Sequence, residues 1–263
     1  LRKKLYTVIS LGWQGTDRQW HHFGKAYIFL AALATPLVLS VHSVVSWDFA
    51  MSIVPGWHAT IFAPYFVAGA IFSGVAMVIT LTVPMRKVFG LEAYLTTKHY
   101  DAMAKLCLLT SLIVLYAYLS EFFLAWYSGE EIERTAFWNR LFGDYWWATW
   151  TMLVCNGLIP VMLWFKRVRH SIPALFVITL FINIGMWFER YVIIVTSLSH
   201  EYEPFAWGMY RPSLTEMGIM VGSFGWFFFW FLIFTRILPP VAIAELKEVL
   251  PAPLRGARKE GAA

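Results

Sequence analysis

The chain has 263 residues, of which 59% are hydrophobic and only 14% charged, and its formal net charge is +5. A soluble domain carries about 25% charged residues, so this composition argues against a soluble globular protein and indicates long apolar segments in a membrane. The basic residues lie in short connectors, where they set membrane topology, and nucleic-acid binding is therefore not indicated.

Six apolar segments are each long enough to cross a bilayer, which takes about 20 helical residues. In chain order they are residues 25–47, 59–83, 101–127, 145–165, 172–197 and 214–237. We therefore predict an all-α fold, a polytopic membrane helix bundle of about six transmembrane helices. Residues 1–24 form a basic loop before the bundle (25–237), and residues 238–263 form a polar tail.

Lysine and arginine alternate between the connectors of these segments. Sixteen of the 21 basic residues lie in one set of connectors: at or before the start of the first segment, after the second, after the fourth, and at or beyond the end of the sixth. The other connectors, which alternate with these, contain three. Because basic loops stay in the cytoplasm, both termini are predicted to be cytoplasmic, and the first, third and fifth helices run outward. The chain begins with Leu1, and we expect further residues upstream.

The first two segments carry titratable residues near the outer face. His42 and Asp48 lie near the outer end of the first segment, and His58 follows a Pro-Gly turn at the start of the second. An ionisable residue in a span costs several kcal/mol unless it is paired or hydrated, so each is a functional candidate. A hydrogen-bonded histidine between helices is the alternative for His42, and a haem between His42 and His58 would need both rings at one depth.

The third segment has acidic residues toward both ends. Asp101 and Lys105 form an i,i+4 pair at the inner end, which is either a helix-end salt bridge or a point of proton uptake. Glu121 lies about two turns from the outer end, where it can pair with Arg190 or accept a proton. Asp101 and Lys105, with Asn156 of the fourth segment, mark an inner proton route.

The fifth segment contains adjacent opposite charges, Glu189 and Arg190, about two turns from its outer end. Adjacent helical residues point about 100° apart, so we expect that they do not simply neutralise each other and that one pairs with Glu121 or Asp48. Two interpretations of Arg190 follow: it forms a structural ion pair between helices, or it is a fixed cation that binds a polar headgroup.

The two cysteines, Cys107 and Cys155, lie inside apolar segments, and the sequence has no C-x-x-C motif. This pattern argues against a disulfide framework, a zinc site, and a haem or iron–sulfur cluster ligated by this chain.

Several local strings resemble the NrfD/polysulfide-reductase-type membrane subunits of bacterial alternative complex III. They are residues 40–50, 55–58, 68–74, 103–106, 121–127 and 183–190. The resemblance implies a subunit of a respiratory or photosynthetic quinol:electron-acceptor oxidoreductase in the bacterial cytoplasmic membrane. The chain would be either the quinol-oxidising subunit or its paralogue, and it would not be active alone. The resemblance also implies non-covalent quinone or menaquinone, and as partners an iron–sulfur subunit, multihaem cytochrome c subunits, a paralogous membrane subunit and lipid.

Family members have about ten helices, so the chain would be the C-terminal six, and part of the quinol pocket would lie upstream. Within this chain we expect His42, His58, Glu189 and Arg190 to contact or border the quinol headgroup near the outer face. Asp48 and Glu121 are expected to accept or relay protons. A secondary transporter, which would show inverted repeats and broken helices, and a purely structural anchor for redox subunits are the alternatives.

Overall fold

A computed structural model describes residues 2–238 and 240–242, and every regular element within them is helical. The helices are α1 (Arg2–Ile9), α2 (Asp17–Ala50), α3 (Phe62–Val88), α4 (Thr97–Ser128), α5 (Glu131–Phe142), α6 (Trp146–Trp164), α7 (Lys166–Arg169), α8 (Ile172–Ser199) and α9 (Leu214–Ile237). Two short 3₁₀ turns, Leu91–Ala93 and Pro204–Ala206, lie in connectors.

Helices α2, α3, α4, α6, α8 and α9 are long and apolar enough to cross a membrane, with mean hydropathies of 1.3 to 2.2. The prediction of an all-α protein with six membrane-spanning helices is therefore confirmed. The cytoplasmic position of the termini and the three regions 1–24, 25–237 and 238–263 stay predictions. Most of the polar tail lies outside the described residues.

The chain divides into two compact units, residues 25–210 and the described residues of 2–24 and 211–242. In the larger unit, α3 packs against α4 and α8, and α6 packs against α8. Phe72, Ile79, Val114 and Ile182 are fully buried at these helix contacts. In the smaller unit, Ser213 and Glu216 form a capping box that starts α9.

Helix α5 was not predicted from the sequence, because its segment is short and half polar. Glu131 and Glu133 lie in its first turn and Arg140 in its last, which suits the helix dipole. Its buried face contains Ala136, Phe137 and Arg140 and packs against α4 and α6. The connector between the third and fourth spans is thus an ordered part of the bundle.

Two transmembrane helices contain a π-helical turn. Residues Val154–Leu158 form one within α6, and Val192–Thr196 form the other within α8. Such turns occur frequently at functional sites, because the extra residue re-aims nearby side chains. Asn156 lies inside the first turn, and the second begins two residues after Arg190.

Gly185 of α8 allows the π-helical turn of α6 to approach closely. A Cβ atom there would overlap the side-chain oxygen of Asn156 and lie 2.5 Å from the Cβ of Cys155. We expect Gly185→Ala to destabilise the folded protein by about 1–3 kcal/mol, the usual effect of overpacking. Thermal unfolding of the purified protein in detergent measures this. Gly74→Ala is the matched control, because a Cβ at Gly74 meets nothing within 4 Å.

Candidate functional site

A buried carboxylate, Glu189 of α8, lies at the centre of the bundle with its side chain fully inaccessible. The Tyr118 hydroxyl of α4 donates a hydrogen bond to Glu189 Oε2. The Nδ2 of Asn156 lies 3.0 Å from the Tyr118 hydroxyl oxygen and 3.5 Å from Glu189 Oε2. Three helices therefore supply one hydrogen-bonded cluster, Tyr118–Asn156–Glu189. A buried carboxylate is costly unless it has hydrogen-bond partners, and Tyr118 and Asn156 are such partners. We call this cluster the buried network.

Arg190 pairs with its neighbour Glu189, with 3.3 Å between Nη2 and Oε1. The expectation that these adjacent residues do not neutralise each other was wrong, because the long arginine side chain turns back toward Glu189. Its guanidinium lies 4.7 Å from the centroid of the Phe66 ring, and its side chain is 39% exposed. Arg190 thus joins the buried carboxylate to the surface of the bundle.

Gly69 of α3 faces this pair at ordinary packing distance. A Cβ atom there would lie 3.7 Å from Nη2 of Arg190 and 3.8 Å from Oε1 of Glu189. Gly69 thus lies where α3 packs against the Glu189–Arg190 pair of α8. Tyr65, one turn earlier on α3, is buried and lies edge-on to Tyr118 with ring centroids 5.7 Å apart.

Arg140 of α5 is a buried cation with neutral hydrogen-bond partners. Its Nε donates to Thr196 Oγ1 at 3.2 Å and its Nη2 to Ser197 Oγ at 2.5 Å, both in or next to the π-helical turn of α8. Gly56, at a positive φ of 77°, leaves room for it, because a Cβ there would lie 2.7 Å from Nη2. Burial lowers the pKa of Arg140 below its ordinary value.

Glu121 lines a small cavity enclosed by residues of α3, α4, α5, α6 and α8. The cavity has a volume of about 20 Å³. Its lining residues are Tyr65, Tyr118, Glu121, Phe122, Phe137, Arg140, Thr149, Met152, Val192 and Ile193. Two buried oxygens in this lining, Glu121 Oε1 and Thr149 Oγ1, have no hydrogen-bond partner within the described part of the chain.

A larger cleft of about 760 Å³ opens beside this cavity, between the end of α4 and α5. Its walls are mainly apolar and include Trp126 and Trp138, with Glu131 and Arg134 as charged residues. Phe122 and Phe137 line both spaces, and their rings meet edge to face with centroids 5.1 Å apart. This aromatic pair forms the wall between cleft and cavity.

The remaining candidates, which the sequence places near the outer face, make no contact with the buried network among the described residues. His42 is half-buried on α2, where its Nδ1 lies 2.9 Å from the Val38 carbonyl oxygen, and Asp48 is exposed. His58 is exposed, with Nδ1 4.0 Å from Glu133 Oε1. Burial and then the charge of Glu130 raise the pKa of Glu133, and nearby His58 opposes this. The two histidines thus have different neighbours.

The predicted inner side has its own charged cluster around Asp101. Its carboxylate lies 2.5 Å from Lys105 Nζ, 2.9 Å from Arg169 Nε and 3.6 Å from His170 Nε2. The i,i+4 pair is therefore present, and Arg169, a connector residue in the sequence, also caps α6 by donating to the Leu163 carbonyl at 2.8 Å. This cluster ties α4 to the α6–α8 connector.

Asn156 was assigned to the same inner route as Asp101, yet the structure places it in the buried network. Three other polar residues connect α3 and α8 elsewhere in the bundle. Asn183 Nδ2 donates to Thr80 Oγ1 at 2.9 Å, which donates to Thr179 Oγ1 at 3.0 Å. They were not singled out from the sequence, because uncharged polar residues in spans are common interhelix contacts.

The sequence analysis also does not identify four other residues of the site, which are Tyr65, Tyr118, Thr149 and Arg140. The tyrosines do not stand out in a chain with 18% aromatic residues, and Arg140 resembles an ordinary connector arginine. The spacing from Glu121 to Tyr118, about one helical turn on one face, is the one signal that links a tyrosine to a candidate.

A family model described as "Polysulphide reductase, NrfD" matches residues 5–200 of the chain, which include the whole buried network. A search of curated proteins found no match to the chain.

Proposed function

The chain belongs to the polysulphide reductase NrfD family, whose members are membrane subunits of quinone-interacting redox complexes, and we propose that it oxidises quinol in a complex of the alternative complex III type. In this proposal the chain binds (mena)quinol near the outer face of a bacterial cytoplasmic membrane. Electrons pass to an iron–sulfur or haem-containing partner subunit, since members of this family usually have iron–sulfur partners.

The observation that carries the proposal is the pair of Glu189 and Arg190. Glu189 is fully buried and hydrogen-bonded, whereas Arg190 is 39% exposed beside it. A quinol headgroup needs a charged donor at one oxygen and a base within reach of its protons. Arg190 is a suitable donor, and Glu189 with Tyr118 is a suitable proton acceptor.

The chemistry assigns a role to each member of the site. Oxidation of one quinol releases two protons and two electrons, and the electrons leave to a partner's redox centre. Arg190 holds a headgroup oxygen, and Glu189 takes up a proton while Tyr118 and Asn156 keep its carboxylate in place. Glu121 passes the proton on toward the predicted outer side.

Other candidates keep the roles expected from the sequence. His42 and His58 border the headgroup region and Asp48 accepts protons at the end of α2. Asp101 and Lys105 open a route from the inner side, and such a route would allow the complex to move protons across the membrane. Proteoliposome pH measurements that show only the protons of quinol oxidation would contradict this last role.

Purification of the intact complex through this chain from native membranes tests the proposal. We expect iron–sulfur and haem signals in the preparation, and reduction of these centres on addition of menaquinol. A preparation without redox centres would contradict the proposal and favour a transporter. A preparation whose centres are not reduced by quinol would favour a purely structural anchor.

A further inference from the structure

The cavity beside Glu121 is large enough for a single water molecule. A water needs about 10–15 Å³ of such space and between two and four polar partners, and the cavity has about 20 Å³. Its polar lining comes from Glu121, Arg140, Thr149 and the two tyrosines 65 and 118. Size and chemistry therefore both match one water and not a larger ligand.

Thr149 provides a second, independent indication. Buried threonines in these helices usually donate to the carbonyl four residues earlier, as Thr110, Thr179 and Thr196 do at 2.9, 2.9 and 2.5 Å. Thr149 is fully buried, yet its hydroxyl has no partner among the described residues. A buried hydroxyl without a partner is costly, so its place in the cavity wall points to a bound molecule there.

Glu121 Oε1 is the other unpartnered oxygen of the lining. A water between it and Thr149 Oγ1 would satisfy both groups at once, donating to the carboxylate and accepting from or donating to the hydroxyl. Arg140 and the two tyrosines lie in the same lining as Glu121 and Thr149. The polar groups that share the cavity with Glu121 are thus one cation, one threonine and two tyrosines.

We propose that the cavity lined by Glu121, Thr149 and Arg140 is a binding site for one water molecule that carries protons from the buried network to Glu121. The proposal rests on the proposed function for the source of the protons. Protonated Glu189 gives the proton that it took from quinol to the Tyr118 oxygen, and at the same time the Tyr118 hydroxyl proton passes to the water. The water in turn gives a proton to Glu121, so every group except Glu189 and Glu121 ends as it began.

Arg140 is a positioning residue in this scheme. Its bonds to Thr196 and Ser197 fix it against the π-helical turn of α8, and the Phe122–Phe137 pair closes the cavity toward the wide cleft. The cation stabilises the ionised form of Glu121 after the proton has left. The residue thus acts through Glu121 and does not touch quinol.

Infrared difference spectroscopy of the purified complex tests the water site directly. A pH step is applied in ordinary water and in ¹⁸O-labelled water, and the O–H stretching bands are compared. We expect an isotope-sensitive band of a weakly bonded water together with the carboxyl band of Glu121. Thr149→Val should remove the water band and shift the carboxyl band, and Glu121→Gln should remove the carboxyl band.

Thr151→Val is the matched control, because the Thr151 hydroxyl already donates to the Trp147 carbonyl at 2.7 Å. It should leave both bands and the turnover unchanged. Thr149→Val should also slow menaquinol oxidation by about tenfold and increase its solvent deuterium isotope effect, since proton transfer becomes slower. Thermal unfolding equal to that of the wild type shows that the variant is folded.

The outcomes separate this proposal from the proposed function. An unchanged water band in Thr149→Val overturns the water site, and a lost band with unchanged turnover and isotope effect overturns the relay. A wild-type complex that does not oxidise quinol overturns the proposed function and the relay with it. The infrared bands need no quinol, so they still decide whether the water site exists.

Discussion

Replacing Glu189 by glutamine in the assembled complex is expected to lower the rate of menaquinol oxidation by about 100-fold or more. An acid or base positioned at a reacting group contributes about 10²–10⁴-fold, and an amide cannot accept the proton. Glutamine has the same shape and still accepts the hydrogen bond from Tyr118. The bundle should therefore assemble, and turnover of the purified complex with a menaquinol analogue measures the loss.

Glu92→Gln is the matched control for this substitution. Glu92 is exposed on a connector, 3.9 Å from Arg86, and an exposed pair of this kind contributes little to stability. Its variant should retain full activity. Full activity in Glu189→Gln with normal assembly would mean that the buried carboxylate only joins helices, and the assignment of Glu189 as proton acceptor would fail.

Replacing Arg190 by leucine is expected to lower kcat/KM for quinol oxidation. A charge-assisted hydrogen bond is worth about 1.5–3 kcal/mol, which is about 10–100-fold in kcat/KM. The substitution also leaves Glu189 as an unpaired buried charge, and breaking a buried pair destabilises by about 3–5 kcal/mol. Both the activity and the thermal stability of the complex should therefore fall.

A double variant separates these two contributions. In Glu189→Gln combined with Arg190→Leu no unpaired charge remains, so thermal stability should return toward that of the wild type while quinol oxidation stays slow. Arg167→Leu, at an exposed position of α7, should change neither quantity. If Arg190→Leu retained full kcat/KM, Arg190 would be a structural partner of Glu189 and the headgroup assignment would be wrong.

The six spans could be predicted because membrane helices need long apolar runs, which hydropathy detects directly. Charged residues inside those runs also stand out, and for that reason Glu189, Arg190 and Glu121 were identified. Helix α5 could not be found in the same way, because a short helix between two spans has no long apolar run.

The contacts inside the site that the sequence did not show have a common physical origin. Sequence spacing gives the direction of a Cα–Cβ bond but not the reach of a long side chain, so the contact between Arg190 and Glu189 was not predicted. The hydrogen bonds of Asn156 could not be predicted for a related reason, because the sequence does not show the π-helical turn in which Asn156 lies. Partners on distant helices, such as Tyr118, require the packed structure.

The π-helical turns Val154–Leu158 and Val192–Thr196 have a consequence for how such chains change during evolution. Each turn holds one residue more than an ordinary α-helical turn, which rotates the following half of the helix by about 100° relative to the preceding half. Loss of one residue there would leave the helix intact but turn Asn156 or Thr196 away from its partners. Relatives without these turns should align with this chain only through a one-residue gap at each place.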